Sequence, residues 1–221
     1  MRNELRKRIF TSFLLMLLLT AMYFYSFIMI IALIVIATIA WIEFYALISK
    51  IIRKNEPKDR LIRFLLKTIS LLYLSLLVYF IFSIESYYPN LKFYLFYSIL
   101  VAILSDVGGL IIGKKFKGKK LTKISPNKTI SGSIGSFIFS LFLIFIFKEK
   151  LIDYDFLNII MITILISLIS QLGDLFISLL KRKAKVKDTS NLLPGHGGVL
   201  DRIDGIIFAI PLGIYLLYIF R

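Results

Sequence analysis

Residues 9–42 run for 34 positions without a single charged side chain. A bilayer-spanning helix needs about 20 apolar residues, so this run alone predicts two crossings separated by a tight turn. Further uncharged runs occupy 68–84, 129–147, 156–173 and 205–220, and a sixth apolar stretch, 93–113, is broken only by Asp106. The pattern predicts an all-α, polytopic integral membrane protein with about seven transmembrane helices, over about 9–25, 27–49, 64–83, 92–113, 131–147, 156–180 and 201–220. Composition agrees. Hydrophobic residues make up 58% of the chain and mean hydropathy is +0.85, well outside the range of soluble domains. The basic start before the first run resembles a signal peptide, but no small-residue cleavage site follows, so a retained helix is expected.

The basic residues test the helix count independently, because Lys and Arg near membrane helices collect on the cytoplasmic side. Segments 1–8, 50–67, 114–128 and 181–202 carry four, seven, seven and six of them, 24 of the 28 in the chain. Only Lys92, Lys148, Lys150 and Arg221 fall in the segments expected outside. A cytoplasmic N-terminus and an external C-terminus follow as expectations. The net charge of +15 borders helix ends rather than forming a free basic domain, which favours lipid headgroups and nucleotide phosphates over nucleic acid. With no cysteine, disulfides, cysteine nucleophiles and thiolate metal sites are excluded. No internal repeat or Gly/Ser-rich linker divides the chain, so 1–221 is expected to form one transmembrane helical domain. The segment 50–63 is basic and partly amphipathic, and is expected at the membrane interface.

Acids inside apolar helices are rare and usually functional. Glu43, Asp106 and Asp174 lie seven or eight residues before the basic residues Lys50, Lys114 and Lys181 that mark the cytoplasmic helix ends. That places them at a similar depth, about 10–12 Å at about 1.5 Å per residue. Asp201 and Asp204, at i and i+3, share a face at the start of the last helix. Carboxylates converging near the cytoplasmic side suit a hard cation such as Mg²⁺, which keeps waters and substrate phosphates among its ligands. The alternative is that each acid pairs with a nearby lysine or arginine, and the aromatic WIEFY setting of Glu43 equally suits an isolated structural hydrogen bond.

Two loops have the makings of phosphate sites. Pro194, Gly195, His196, Gly197 and Gly198 precede a helix start, where exposed amides and the helix dipole attract anions. Lys181, Arg182, Lys187 and Arg202 surround that turn in sequence and supply positive charge, while His196 is placed to donate a hydrogen bond or handle a proton. The second, residues 119–135, sets Ser125, Lys128 and Thr129 before another helix. It lacks P-loop spacing, and an ordinary capped helix start explains it equally well. Gly109 and Gly113 have a spacing that serves helix packing.

From Ser178 to Asp204 the chain resembles the phosphatidate cytidylyltransferases, or CDP-diacylglycerol synthases. It carries their C-terminal signature at Ser178, Lys181, Arg182, Lys187, Asp188, Ser190, Leu193, Pro194, His196, Gly197, Gly198, Val199, Asp201, Arg202, Ile203 and Asp204. The resemblance extends to QLGDL at 171–175, ISPNKT at 124–129 and SDVGGLIIGKKFKGKKL at 105–121. It covers roughly the C-terminal half, so 91–221 is expected to be the catalytic part and 1–90 a set of N-terminal helices with a weak match. Two departures stand out: Ser131 before Gly132 where the family usually has an acid, and Val107-Gly108-Gly109 where it usually has an aromatic-containing stretch. The chain is also short for the family, as if N-terminal helices had been trimmed.

The resemblance implies transfer of a cytidylyl group from CTP to phosphatidate, giving CDP-diacylglycerol and pyrophosphate for phospholipid biosynthesis, at a cell membrane with the active site facing the cytoplasm. It implies Mg²⁺ held by Asp174 and Asp201 with Asp204 assisting, and leaves a second cation and a homodimer open. Lys181, Arg182 and His196 join the two aspartates as expected catalytic residues. Ser125, Lys128, Thr129, Ser178, Lys187, Asp188, Gly197, Gly198 and Arg202 are expected to bind substrate. The competing readings are a CTP-dependent enzyme acting on another lipid, such as an archaeol-type cytidylyltransferase or a polyprenol kinase, and a cation-coupled transporter.

Overall fold

The computed structural model describes residues 2–54, 56–122 and 125–220. These residues form helices α1 (Arg2–Phe24), α2 (Ser26–Ile51), α3 (Pro57–Tyr87), α4 (Lys92–Phe116), α5 (Ile130–Ile146), α6 (Phe156–Lys183), α7 (Leu200–Ile203) and α8 (Ile206–Ile219). Short 3-10 turns at Pro89–Leu91 and Lys148–Leu151 precede α4 and follow α5. Among the described residues there is no strand, only the isolated bridges Lys120–Thr129 and Leu193–Gly197. Five segments are long and apolar enough to cross a bilayer: Ser26–Ile51, Pro57–Tyr87, Pro89–Phe116, Phe156–Lys183 and Leu200–Ile219. Ile9–Phe24 and Ile130–Ile146 are shorter apolar helices. The chain is a polytopic helical membrane protein, and the seven apolar segments correspond to those the uncharged runs predict.

Two details of the helix pattern have local causes. The 34-residue run is broken at Tyr25 alone, which is extended (φ −121°, ψ 104°), so α1 and α2 are separated by one residue. The last expected helix, 201–220, is interrupted into α7 and α8. Asp204 turns its Oδ1 onto the Gly205 N–H at 2.9 Å, a local side-chain bond of the kind that competes with helix continuation.

The chain divides into two compact units. One comprises Met1–Tyr87 with Leu180–Ile203, the other Tyr88–Leu179 with Asp204–Arg221. In the first, α2 packs on α1, α3 and α7. The Trp41 Nε1–H donates to the Lys67 carbonyl (3.2 Å), and the Lys67 ammonium lies 3.2 Å from the centre of the Tyr45 ring. These contacts fasten α2 to the start of α3, with a cation–π contribution.

In the second unit, α4 and α5 meet along glycines. A Cβ added to Gly108 would lie 2.5 Å from the Gly135 carbonyl oxygen, and one on Gly109 would lie 2.7 Å from Ser136 Oγ. Gly113 faces Thr129 and Gly132. Gly109 and Gly113 therefore pack helices, as their spacing suggests. Buried hydroxyls complete the unit. Ser136 donates to the Ser105 carbonyl (2.7 Å), Ser167 to Ser105 Oγ (2.9 Å), and Tyr97 Oη shares a 2.8 Å bond with Thr163. Each finds its partner inside the protein, as backbone and hydroxyl groups in an apolar phase must.

Candidate functional site

The signature segment leaves α6 at Lys183, forms a polar loop and enters α7, its residues Leu180–Ile203 belonging to the first unit. Its PGHGG turn closes through the His196 N–H on the Leu193 carbonyl (2.9 Å) and the Leu193 N–H on the Gly197 carbonyl (2.8 Å). Gly195 (φ +77°) and Gly197 (φ +83°) occupy left-handed backbone that a side chain would strain. Arg202 clamps the turn, donating from Nε and Nη2 to the His196 carbonyl at 3.1 and 2.7 Å. Helix α1 holds its far side: Thr11 Oγ1 donates to the Pro194 carbonyl (3.0 Å), and Ser12 Oγ lies 3.2 Å from His196 Nε2.

Asp201 is the electrostatic centre of this loop. Its Oδ1 accepts from the Lys181 ammonium at 2.6 Å, and its Oδ2 from the Thr189 N–H (2.8 Å) and the Gly198 N–H (3.0 Å), while the Thr189 hydroxyl, 2.9 Å away, shares its one hydrogen between Asp201 and Glu43. The side chains of Lys181 and Asp201 are 11% and 3% exposed, so the pair is desolvated and fully hydrogen-bonded. Arg182, Lys187, Asp188 and Arg202 of the same segment are exposed. The cationic side chains among them face solvent, Arg182 also donating to the Val186 carbonyl (3.2 Å) and Arg202 to that of His196, on the segment that carries the glycine turn.

Sequence reasoning left the role of Glu43 open between metal chemistry and a structural hydrogen bond. The buried Glu43 carboxylate accepts from Thr189 Oγ1 (2.8 Å), Ser190 Oγ (2.6 Å), the Val199 N–H (3.1 Å) and the Leu200 N–H (2.8 Å). It is thereby a principal anchor of the signature loop. The available signal was its presence in an apolar helix at the depth of the other acids, which demands partners without naming them. Thr189, Thr11 and Ser12 were missed for a different reason: isolated hydroxyl residues carry no pattern.

The second unit holds the other candidates. Asp174 on α6 accepts from Ser178 Oγ at 3.2 Å and forms an ion pair with Lys128. Thr129 caps α5, its Oγ1 accepting from the Gly132 N–H at 3.0 Å. Ser125 accepts the Lys128 N–H through its carbonyl (3.0 Å), which makes 125–128 a turn. The ordinary capped start is therefore present, and it also delivers Lys128 to Asp174. A pocket of about 370 Å³ opens beside this turn, lined by Lys120, Leu121, Thr122 and Pro126. Ile124, at the head of ISPNKT, lies outside the described residues. Asp204 is buried and Asp106 exposed. Among the described residues, no group of three or more His, Asp or Glu side chains gathers that could hold a metal ion. Asp174 and Asp201 each have a lysine ammonium against the carboxylate, the alternative the sequence left open.

A polytopic helical membrane protein that carries a basic, glycine-turned loop around buried carboxylates belongs to the class of membrane enzymes handling phosphates only if its sequence relations agree. The Cytidylyltransferase family model matches residues 1–220, and the chain belongs to that family. It is 41% identical over 129 residues to the phosphatidate cytidylyltransferase of Bacillus subtilis (strain 168), covering 58% of this chain and 48% of that protein. It is 46% identical over 123 residues to the phosphatidate cytidylyltransferase of Staphylococcus haemolyticus (strain JCSC1435), covering 54% and 46%. The protein of that name from Staphylococcus aureus (strain COL) is 42% identical over 123 residues, with the same coverage. The chain thus spans about half the length of the curated relatives it matches.

Proposed function

We propose that the protein is a phosphatidate cytidylyltransferase, making CDP-diacylglycerol and pyrophosphate from CTP and phosphatidate in a membrane. The observation that carries this reading is the signature loop itself, a left-handed glycine turn clamped by Arg202 on a segment that also exposes Arg182 and Lys187, in a chain of the cytidylyltransferase family. A phosphatidate phosphate oxygen attacks the α-phosphorus of CTP, the bond to the bridging oxygen breaks, and pyrophosphate leaves. The nucleophile is already anionic, so the barrier lies in bringing two anions into line. Arg182, Lys187 and Arg202 lower it by neutralising phosphate oxygens, and the glycine turn lets backbone amides approach them. Lys128, Ser125 and Thr129 form a second basic turn suited to a phosphate headgroup.

Asp174, Asp201 and Asp204 are hard-oxygen donors of the kind Mg²⁺ takes, and Asp174 and Asp201 each hold a lysine ammonium where a cation would bind. Bound Mg²⁺ would neutralise and align phosphate oxygens. The crowding of basic residues at 1–8, 50–67, 114–128 and 181–202 supports a cytoplasmic N-terminus and active site.

Incubating the purified protein with CTP, Mg²⁺ and phosphatidate should release pyrophosphate and form CDP-diacylglycerol. Product from an isoprenoid ether lipid phosphate but not from phosphatidate would move the assignment to another lipid. Ion flux in proteoliposomes without CTP turnover would replace it by transport. Asp174→Asn and Asp201→Asn should each abolish turnover in protein that still inserts, and near wild-type Mg²⁺-dependent activity in either would remove that residue from the metal site.

A further inference from the structure

Glu43 is only 3% exposed in a helix of otherwise apolar composition. A carboxylate there is tolerated only if donors replace its water. Its Oε1 takes the Val199 N–H and the Ser190 hydroxyl, and its Oε2 takes the Leu200 N–H and the Thr189 hydroxyl. Each oxygen therefore receives one main-chain N–H. A glutamine could not take its place, because its NH₂ would face one of those N–H groups, and a backbone donor cannot turn round to accept.

One of those donors, Thr189, also bonds Asp201, and Gly198, next to the donor Val199, does so too. Thr189 Oγ1 lies 2.8 Å from Glu43 Oε2 and 2.9 Å from Asp201 Oδ2, while the Thr189 N–H and Gly198 N–H both go to Asp201. Gly198 is wedged between the two acids: an added Cβ would lie 2.5 and 2.7 Å from the Glu43 oxygens. We propose that Glu43 is a positioning residue for the reaction, holding Thr189, Gly198 and Val199 so that Asp201 and its partner Lys181 keep their working geometry. The catalytic part of this inference rests on the activity proposed above, whereas the tether itself does not.

The test uses the full chain in lipid nanodiscs, comparing wild type with Glu43→Gln by amide hydrogen exchange and by kcat and KM for CTP and phosphatidate per folded molecule. Exchange across 188–200 should quicken by about tenfold or more, the factor that one lost charge-assisted hydrogen bond converts to. The kcat should fall by about a hundredfold, as expected when reactive groups shift by about an ångström, with a smaller change in KM. Wild-type exchange in 188–200 would overturn the tether, and faster exchange with unchanged kcat would overturn the positioning role. A merely structural glutamate would lower the yield of folded protein without lowering kcat per folded molecule. Should Glu43→Gln fail to fold, Ser190→Ala deletes one donor alone and should still quicken exchange and lower kcat several-fold, about the effect of one hydrogen bond; no change in either would sink the proposal. If the wild type transfers no cytidylyl group, the assigned activity falls while the exchange experiment still decides the tether.

Discussion

Asp201 and Asp174 both face a lysine, yet the two units hold them differently. Asp201 is gripped by two main-chain N–H groups and a hydroxyl as well as Lys181, with its side chain almost wholly enclosed. Asp174 is held by side chains, Ser178 and Lys128, and remains 21% exposed. Main-chain donors move only when the loop moves, whereas side-chain partners swing away through rotamers. The first acid is thus fixed by the main chain, whereas the second is held by side chains alone.

The contrast predicts a graded series of stability losses, each read by thermal unfolding in detergent. Lys181→Met leaves the enclosed Asp201 charge uncompensated and should destabilise by about 3–5 kcal/mol. Gly198→Ala drives a methyl against Thr189 and Glu43 and should lose about 1–3 kcal/mol. Thr129→Ala removes the α5 cap and should lose about 1 kcal/mol. Lys128→Met breaks the more open pair and should change stability by about 1 kcal/mol or less. Equal losses for Lys181→Met and Lys128→Met would erase the distinction between the two acids. A loss for Gly198→Ala no larger than for Lys128→Met would mean that the loop yields around Glu43.

Much of the fold is legible in the sequence because charge is excluded from apolar helices, and the excluded stretches can be counted. Even the single-residue break at Tyr25 follows from the length of the first run. The interruption at Asp204 does not follow, since it depends on one side chain choosing its neighbour's N–H over solvent. In the site, Lys181, Asp201 and the PGHGG turn stand within one continuous stretch and announce themselves together. Glu43 meets Thr189 from 146 positions away, and nothing in WIEFY points to that partner. The N-terminal helices consequently supply Thr11, Ser12 and Glu43 to the signature loop, a contribution that local motifs cannot express.

The glycine contact between α4 and α5 has a consequence for traffic within the membrane. Where Gly108 and Gly135 meet there is no room for one additional methyl group, and hence none for a fatty-acyl tail. At that level the two helices are closed to lipid tails, and the seam between them is continuous protein.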